Sequence, residues 1–280
     1  MASYETFWDE ISRIEEVDFD DEKINRLIRF QAVQQQLNGV KRILDVGAGT
    51  GAFSVPLARM GYEVVHFDLS EEMLKQAREN AAGVPGIRFE RGDAADLSRF
   101  TDGEFDLVLC FDGAISFSGR DADKVLSEIC RVGKKVILTV SSKACMVATW
   151  LNYSMLTHGR IHPSVKNMLT TGYFNKADYD DAENMTAITE LQAYDCSGLT
   201  EILQGKGMKV LECRSIGSLT HLYLMHLYRL YDDEEVRRRI NEISADPEFL
   251  ELCELYDKTV MPEGMGSFRR SGILAIAEKA

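Results

Sequence analysis

The stretch Ile43-Leu44-Asp45-Val46-Gly47-Ala48-Gly49-Thr50-Gly51 is a short apolar run that ends in three closely spaced glycines. The run reads as a strand. The glycines let the chain turn tightly and leave bare backbone for a ligand to approach. Residues 52–60 carry the pattern of a helix whose first N–H groups face the crevice beyond the strand end, with Pro56 limiting how early that helix becomes regular. The glycines alone do not choose a ligand. Gly47, Gly49 and Ala52 also satisfy the G-x-G-x-x-A form that binds dinucleotides.

Outward from this turn, residues 41–140 alternate between short apolar runs and amphipathic segments. Strands fit 42–46, 63–67, 87–90, 105–111 and 135–140. Ser70 is a good N-cap for a helix with Glu71 and Glu72 in its first turn and Met73, Leu74 and Ala77 on one face. Val125, Leu126 and Ile129 give helical spacing to 121–132. Strands alternating with helices at this pitch predict an α/β fold with a parallel sheet covered on both faces.

Acidic residues recur at the strand ends. Asp45 sits inside the first strand, where an acid is costly unless it meets a cation or donors. Asp68 ends the second strand, where a carboxylate can take two ribose hydroxyls, although it also reads as a helix-start residue. Asp93 closes the third, as a rim acid or as a turn residue. Asp112 closes the fourth, either lining a site or solvated in a loop. Three or four carboxylates around one crevice would repel a pyrophosphate. They suit a ligand with a positive centre, a ribose and an adenine amine, which favours S-adenosylmethionine over NAD.

These residues carry a family resemblance. LDVGAGTGAFSVPLA, VVHFDLSEEMLKQAREN, RFERGDAADL and FDLVLCFDGAISF resemble, in order and spacing, the four motifs of the class I S-adenosylmethionine-dependent methyltransferases. LTEILQGKGMKVLECRSIG resembles more weakly the family's helix and strand before its closing hairpin. The resemblance implies a Rossmann-like, doubly wound, seven-stranded and mostly parallel sheet, with the last strand, near residues 273–277, antiparallel. It also implies the cofactor set. Gly47, Ala48, Gly49 and Gly51 would lie against the amino-acid portion of the cofactor, and Asp45 would organise that loop and reach the ammonium through water. Asp68 and Leu69 would serve the ribose, Asp93 and Ala94 the adenine, and Phe111 the methionyl side.

The rest of the chain divides into an N-terminal helical lid (1–40), a cap insertion (141–195) and the remainder of the core with closing strands and additional helices (196–280), around the cofactor-binding core at 41–140. In the lid, Tyr4, Phe7 and Trp8 either fold over the cofactor or pack in the core. In the cap, 144–156 looks helical and 186–193 is the one strand candidate; the length suggests an insertion rather than a connector, because a structureless loop this long is uncommon. Beyond it, 197–204, 221–231 and 233–244 read as helices, and 208–213 and 272–277 as strands.

Methyl transfer is an in-line displacement that rests on alignment and desolvation; a hydroxyl acceptor also needs a general base. Candidates are His158 and His162 in HGRIHP, Tyr153 beside Tyr173, and Asp112. The two histidines also read as surface residues before a proline turn, and no base is assigned. A metal site from the pair needs ligands that the sequence does not identify, so no metal is expected. Of His221 and His226, one should be exposed and the other packed.

The 280 residues are 45% hydrophobic and 28% charged, which fits a globular domain and excludes low-complexity and largely disordered classes. A net charge of −13 opposes binding to nucleic acid and to anionic membranes. Arg237, Arg238 and Arg239 follow the acidic run 232–235 and read with it as a solvated helix face. Six cysteines without C-x-x-C spacing read as free thiols in a reducing cytosol, and neither a signal peptide nor a spanning segment is visible. Where FDGAIS stands, no N/D-P-P-Y/F tetrapeptide follows the fourth strand, which lowers the expectation of base N-methylation. The expectation is a cytoplasmic methyltransferase acting on N or O of a small molecule, with its oligomeric state open. A non-catalytic protein binding S-adenosylmethionine or S-adenosylhomocysteine, and an NAD-binding oxidoreductase, remain as alternatives.

Overall fold

The computed structural model describes residues 22–111, 113–244, 246–261 and 272–280. Tyr4, Phe7, Trp8 and Asp112 lie outside the described residues.

In chain order the elements are α1 (Glu22–Gln34), β1 (Arg42–Val46), α2 (Ser54–Arg59), β2 (Glu63–Asp68), α3 (Glu71–Asn80), β3 (Ile87–Arg91), β4 (Phe105–Cys110), α4 (Ala122–Val132) and β5 (Gly133–Val140). An inserted stretch follows, with α5 (Lys143–His158), α6 (Pro163–Thr171), β6 (Tyr173–Asn175) and β7 (Glu190–Gln192). The chain closes with α7 (Cys196–Gly205), β8 (Met208–Ser215), α8 (Ser218–Leu230), α9 (Asp233–Ile243), α10 (Pro247–Thr259) and β9 (Ile273–Lys279).

Seven strands form one sheet in the order β3-β2-β1-β4-β5-β9-β8. β9 pairs antiparallel with both β5 and β8, and the β1, β2, β3, β4 and β5 pairings are parallel. The chain runs outward from β1 through β2 to β3, then returns to β4 on the other side of β1. That reversal opens a crevice beyond the carboxyl ends of β1 and β4, the usual ligand position in such sheets.

Both sheet faces are buried, so the strands are apolar in consecutive positions rather than alternating. Ile43 of β1 packs with Ile24 and Ile28 of α1 and Leu57 of α2, while Leu44 and Val46 pack on the opposite face with Leu126 and Ile129 of α4. α2 tolerates Pro56 because the proline falls in the first turn, where its N–H would have no helical partner. Ser70 caps α3 by accepting the Met73 N–H at 3.2 Å, as its sequence position predicts.

The inserted stretch has its own small core around Trp150, Met168, Phe174 and Leu191. Its helix α6 and strand β6 were not legible in the sequence. α6 takes its cap from His162, an unusual capping residue, and β6 and β7 have three residues each, too few to show a period of two. Two of the three arginines in the run on α9 are paired within their own helix. Glu235 holds Arg239 and, with Glu242, Arg238. Five of the six cysteines are buried free thiols and Cys213 is half-buried. Among the described residues no helix is long and apolar enough to cross a membrane.

Candidate functional site

The glycine turn is fixed from both sides. Phe67 at the end of β2 accepts the N–H groups of Gly47 and Ala48 through its carbonyl, at 2.8 and 3.2 Å. The Asp68 carboxylate then accepts the Gly49 N–H at 2.8 Å through Oδ2 and the Ser70 N–H at 2.9 Å through Oδ1. One buried carboxylate thus joins the turn after β1 to the start of α3.

Around this turn lies a cleft at the carboxyl edge of the sheet. It brings together Asp45, Gly47, Ala48, Gly49, Asp68, Leu69, Asp93, Ala94 and Phe111, residues separated by as much as the whole β1–β4 segment in sequence. Asp45 is 2% exposed and Asp68 8%, so two of the three cleft acids are largely withdrawn from water. Asp93 is exposed and accepts the Ala95 N–H at 2.8 Å through Oδ1. It is therefore a turn residue and a rim acid at once.

Gly51 is not among the cleft-lining residues, although the sequence reading grouped it with Gly47 and Gly49. Its φ is +92°, and a Cβ there would meet Val55 Cγ2 at 2.7 Å. The glycine is needed for close packing of the turn on α2. Gly49, at φ +56°, faces open space apart from Met73 Sδ at 4.0 Å.

His158, His162 and Tyr153 are likewise absent from the cleft lining. Tyr153 is half-buried with its ring 5.9 Å from that of Trp150. His162 is buried between Ser164 and Asp181, with His158 stacked on it. All three lie in the inserted stretch rather than at the cleft. His226 is exposed and His221 half-buried on α8, as their spacing suggests.

Sequence reading missed Arg26, the one cationic side chain among the described lining residues, and also Phe53, Met73 and Ser118. Arg26 stands on α1, whose Arg29 is buried close to the same cleft wall. Arg29 pairs with Glu22 and lies over the rings of Phe53 and Phe111, at 5.7 and 5.9 Å. The available signal was the charged series 22, 26 and 29 along one side of a helix whose other side is apolar.

The inserted stretch reaches the same rim. Ser118 lines the cleft from the turn 116–121 after β4, and in that turn Glu190 of β7 accepts the Arg120 N–H at 3.0 Å and Nε–H at 3.2 Å. Tyr173 also donates its hydroxyl hydrogen to Glu190.

Below the glycine turn, His66 of β2 is fully buried, with Nδ1 2.7 Å from Ser54 Oγ. Burial holds its imidazole down at about 4, and the charge of Arg78 adds to the effect. It is a neutral support for the turn at ordinary pH.

Residues 43–135 match the family model of the methyltransferase domain. The magnesium-protoporphyrin O-methyltransferase of Rhodobacter capsulatus is 30% identical over 148 residues, 51% of this chain and 63% of that protein. The glycine/sarcosine/dimethylglycine N-methyltransferase of Actinopolyspora halophila is 37% identical over 99 residues, 34% of this chain and 18% of that protein. The chain therefore spans less than two thirds of either relative. A solved methyltransferase from Methanosarcina mazei described as SAM-dependent superposes with a TM-score of 0.54 at 18% identity, covering 89% of this chain and 96% of that one, a likeness of fold.

Proposed function

We propose that this chain, which belongs through residues 43–135 to the class I S-adenosylmethionine-dependent methyltransferases, transfers a methyl group to N or O of a small molecule. The observation that carries the reading is the charge and surface of the cleft. Asp45, Asp68 and Asp93 converge on a turn with bare backbone at Gly49, and Arg26 stands among them. A diphosphate-bridged cofactor would bring two negative charges against three carboxylates. A sulfonium nucleoside brings a positive sulfur, an ammonium, ribose hydroxyls and an adenine amine, and only its single carboxylate needs a cation.

The donor set fits S-adenosylmethionine. Asp68 would accept from the ribose hydroxyls, Asp93 and Ala94 would face the adenine, and Asp45 the ammonium side, with Arg26 opposite the methionyl carboxylate. Gly47, Ala48 and Gly49 would give it backbone to lie on, with Phe111 along the methionyl side. When bound, the cofactor supplies an electrophilic methyl on sulfur and leaves as S-adenosylhomocysteine. The chain's part is alignment and exclusion of water. Phe53, Phe111 and Met73 give the cleft apolar walls, and the inserted stretch, through Glu190 on the 116–121 turn, acts as a cap over the acceptor.

Among the described residues His158, His162 and Tyr153 stand outside the lining, and on this reading positioning carries the reaction. That suits an amine or an already ionised oxygen better than a neutral alcohol. The relatives' named O- and N-methyl transfers support the same two acceptor atoms. A net charge of −13 favours a small acceptor over nucleic acid, and buried free cysteines fit a cytoplasmic setting.

Incubation with S-adenosylmethionine and a fractionated metabolite extract tests this reading. Accumulation of S-adenosylhomocysteine with an extract fraction supports the enzyme. Tight cofactor binding with no turnover in any fraction would make the chain a non-catalytic binder.

A further inference from the structure

We propose that His158, His162 and Asp181 form a binding site for one divalent transition-metal ion of the zinc class, which clamps the α5–α6 corner onto the 176–185 segment. One ring nitrogen of each histidine and a carboxylate oxygen of Asp181 lie within 4.8 Å of one another. His158 ends α5 and His162 caps α6, across a corner turned by Gly159 in the left-handed conformation. Asp181 arrives from a loop 19 residues further along, so the cluster exists only in the folded chain.

The nitrogen of His158 is the telling feature. Its Nε2 is buried and has no hydrogen-bond partner. An unmade hydrogen bond at a buried polar atom costs about 1–3 kcal/mol, and a metal ion in reach of that lone pair removes the cost. His162 is 1% exposed, with Nε2 2.8 Å from Asp181 Oδ1. The two rings stack at 5.2 Å, which keeps both imidazoles on one side of the corner.

The surroundings orient the ligands. Ser164 Oγ lies 2.7 Å from His162 Nδ1, and Arg160 donates to the other carboxylate oxygen of Asp181 at 2.9 Å. Such outer contacts fix the direction of ligating groups. Two imidazoles and a carboxylate are a zinc donor set, and donors about 2.0–2.1 Å from a tetrahedral ion lie about 3.3 Å apart. Small side-chain rotations bring the present cluster to that spacing. On binding, the single ring hydrogen of His162 leaves Nε2 and Nδ1 takes up a proton in its place, which it donates to Ser164 Oγ; Nε2 and Asp181 Oδ1 are then both free to ligate, no net proton is released, and the cap contact from the Ser164 N–H to Nδ1 is given up.

The clamp has something to hold. His162 meets Tyr179 edge-on at 5.0 Å, Tyr179 stacks on Phe174 at 5.9 Å, and Phe174 packs on Trp150 at 4.9 Å. An ion at Asp181 therefore ties the loop to the core of the inserted stretch. Asp181 is exposed, which gives the ion a path in.

The test titrates the full chain, stripped with chelator, with zinc chloride by calorimetry and with cobalt chloride by visible absorption. His158→Ala and Asp181→Asn are compared after their melting curves establish folding. The wild type should bind one equivalent with a Kd of about 1 μM or below, and each variant should bind at least about tenfold more weakly. Absence of saturable one-equivalent binding by the wild type, or unchanged affinity in either variant, overturns the site.

Discussion

The carboxylate of Asp68 accepts the backbone N–H of Gly49 at 2.8 Å, joining the end of β2 to the turn after β1. An acid at this point does more than face a ligand, because its second oxygen also holds Ser70 at the start of α3. Asp68→Ala should therefore weaken S-adenosylmethionine binding by about 1–3 kcal/mol, roughly 5- to 150-fold, and lower the melting temperature as well. Asp68→Asn keeps one acceptor oxygen and should lose less on both counts. Calorimetry that finds Asp68→Ala binding like the wild type would remove the ribose role.

The three glycines of the turn should separate by experiment. Gly51→Ala pushes a methyl to within 2.7 Å of Val55 and 3.6 Å of Ala77 at a φ of +92°, so its cost falls on the fold. Gly49 has room around it, and alanine there adds only the left-handed penalty of about 1–2 kcal/mol. Gly49→Val should abolish measurable cofactor binding while the protein still melts cooperatively. The opposite pattern, with Gly49 variants unfolded and Gly51 variants merely unable to bind, would reverse these assignments.

Acid stability should report on His66. Its folded value of about 4 lies below the ordinary 6.5, so between those limits the unfolded chain binds more protons. The stabilisation is complete above about pH 6.5 and is lost as pH falls towards about 4. Asp257 acts in the opposite sense, since burial pushes its carboxyl up to about 6 and its share of stability is lost as pH rises through that value. Urea unfolding of wild type and His66→Gln across this range isolates the histidine. The wild-type advantage should shrink as the solution is acidified, and a constant difference would count against a buried neutral imidazole.

α1 depends on a buried ion pair. Arg29 is 2% exposed, pairs with Glu22 and covers the rings of Phe53 and Phe111. Glu22→Ala leaves the guanidinium buried without that partner and should destabilise by about 3–5 kcal/mol. The double change Glu22→Leu with Arg29→Met should recover much of the loss. Equal destabilisation in single and double variants would mean that packing, not charge, sets the cost.

The sheet was legible because its signal is local. Runs such as Ile43 to Val46 and Phe105 to Cys110 announce buried strands, and Ser70 followed by Glu71 and Glu72 announces a helix start. Most of the cleft lining was legible for the same reason, since Asp45, Asp68 and Asp93 stand within two residues of the carboxyl ends of β1, β2 and β3. What failed was non-local. Arg26 comes to the cleft from a helix ahead of the sheet, outside the glycine and acid motifs, and Asp181 meets His162 across a loop with no periodicity. Gly51 adds a second role that spacing does not show, since a Cβ there would meet Val55.

Competition for the cleft at Asp45, Asp68 and Asp93 is best measured by titrating the wild-type chain with S-adenosylhomocysteine and with NAD in parallel. An acid-lined crevice with bare backbone at Gly49 should take up one equivalent of the sulfur nucleoside and show no saturable heat with the dinucleotide. Saturable NAD binding that excludes S-adenosylhomocysteine, or no binding of the sulfur nucleoside at all, would contradict the account.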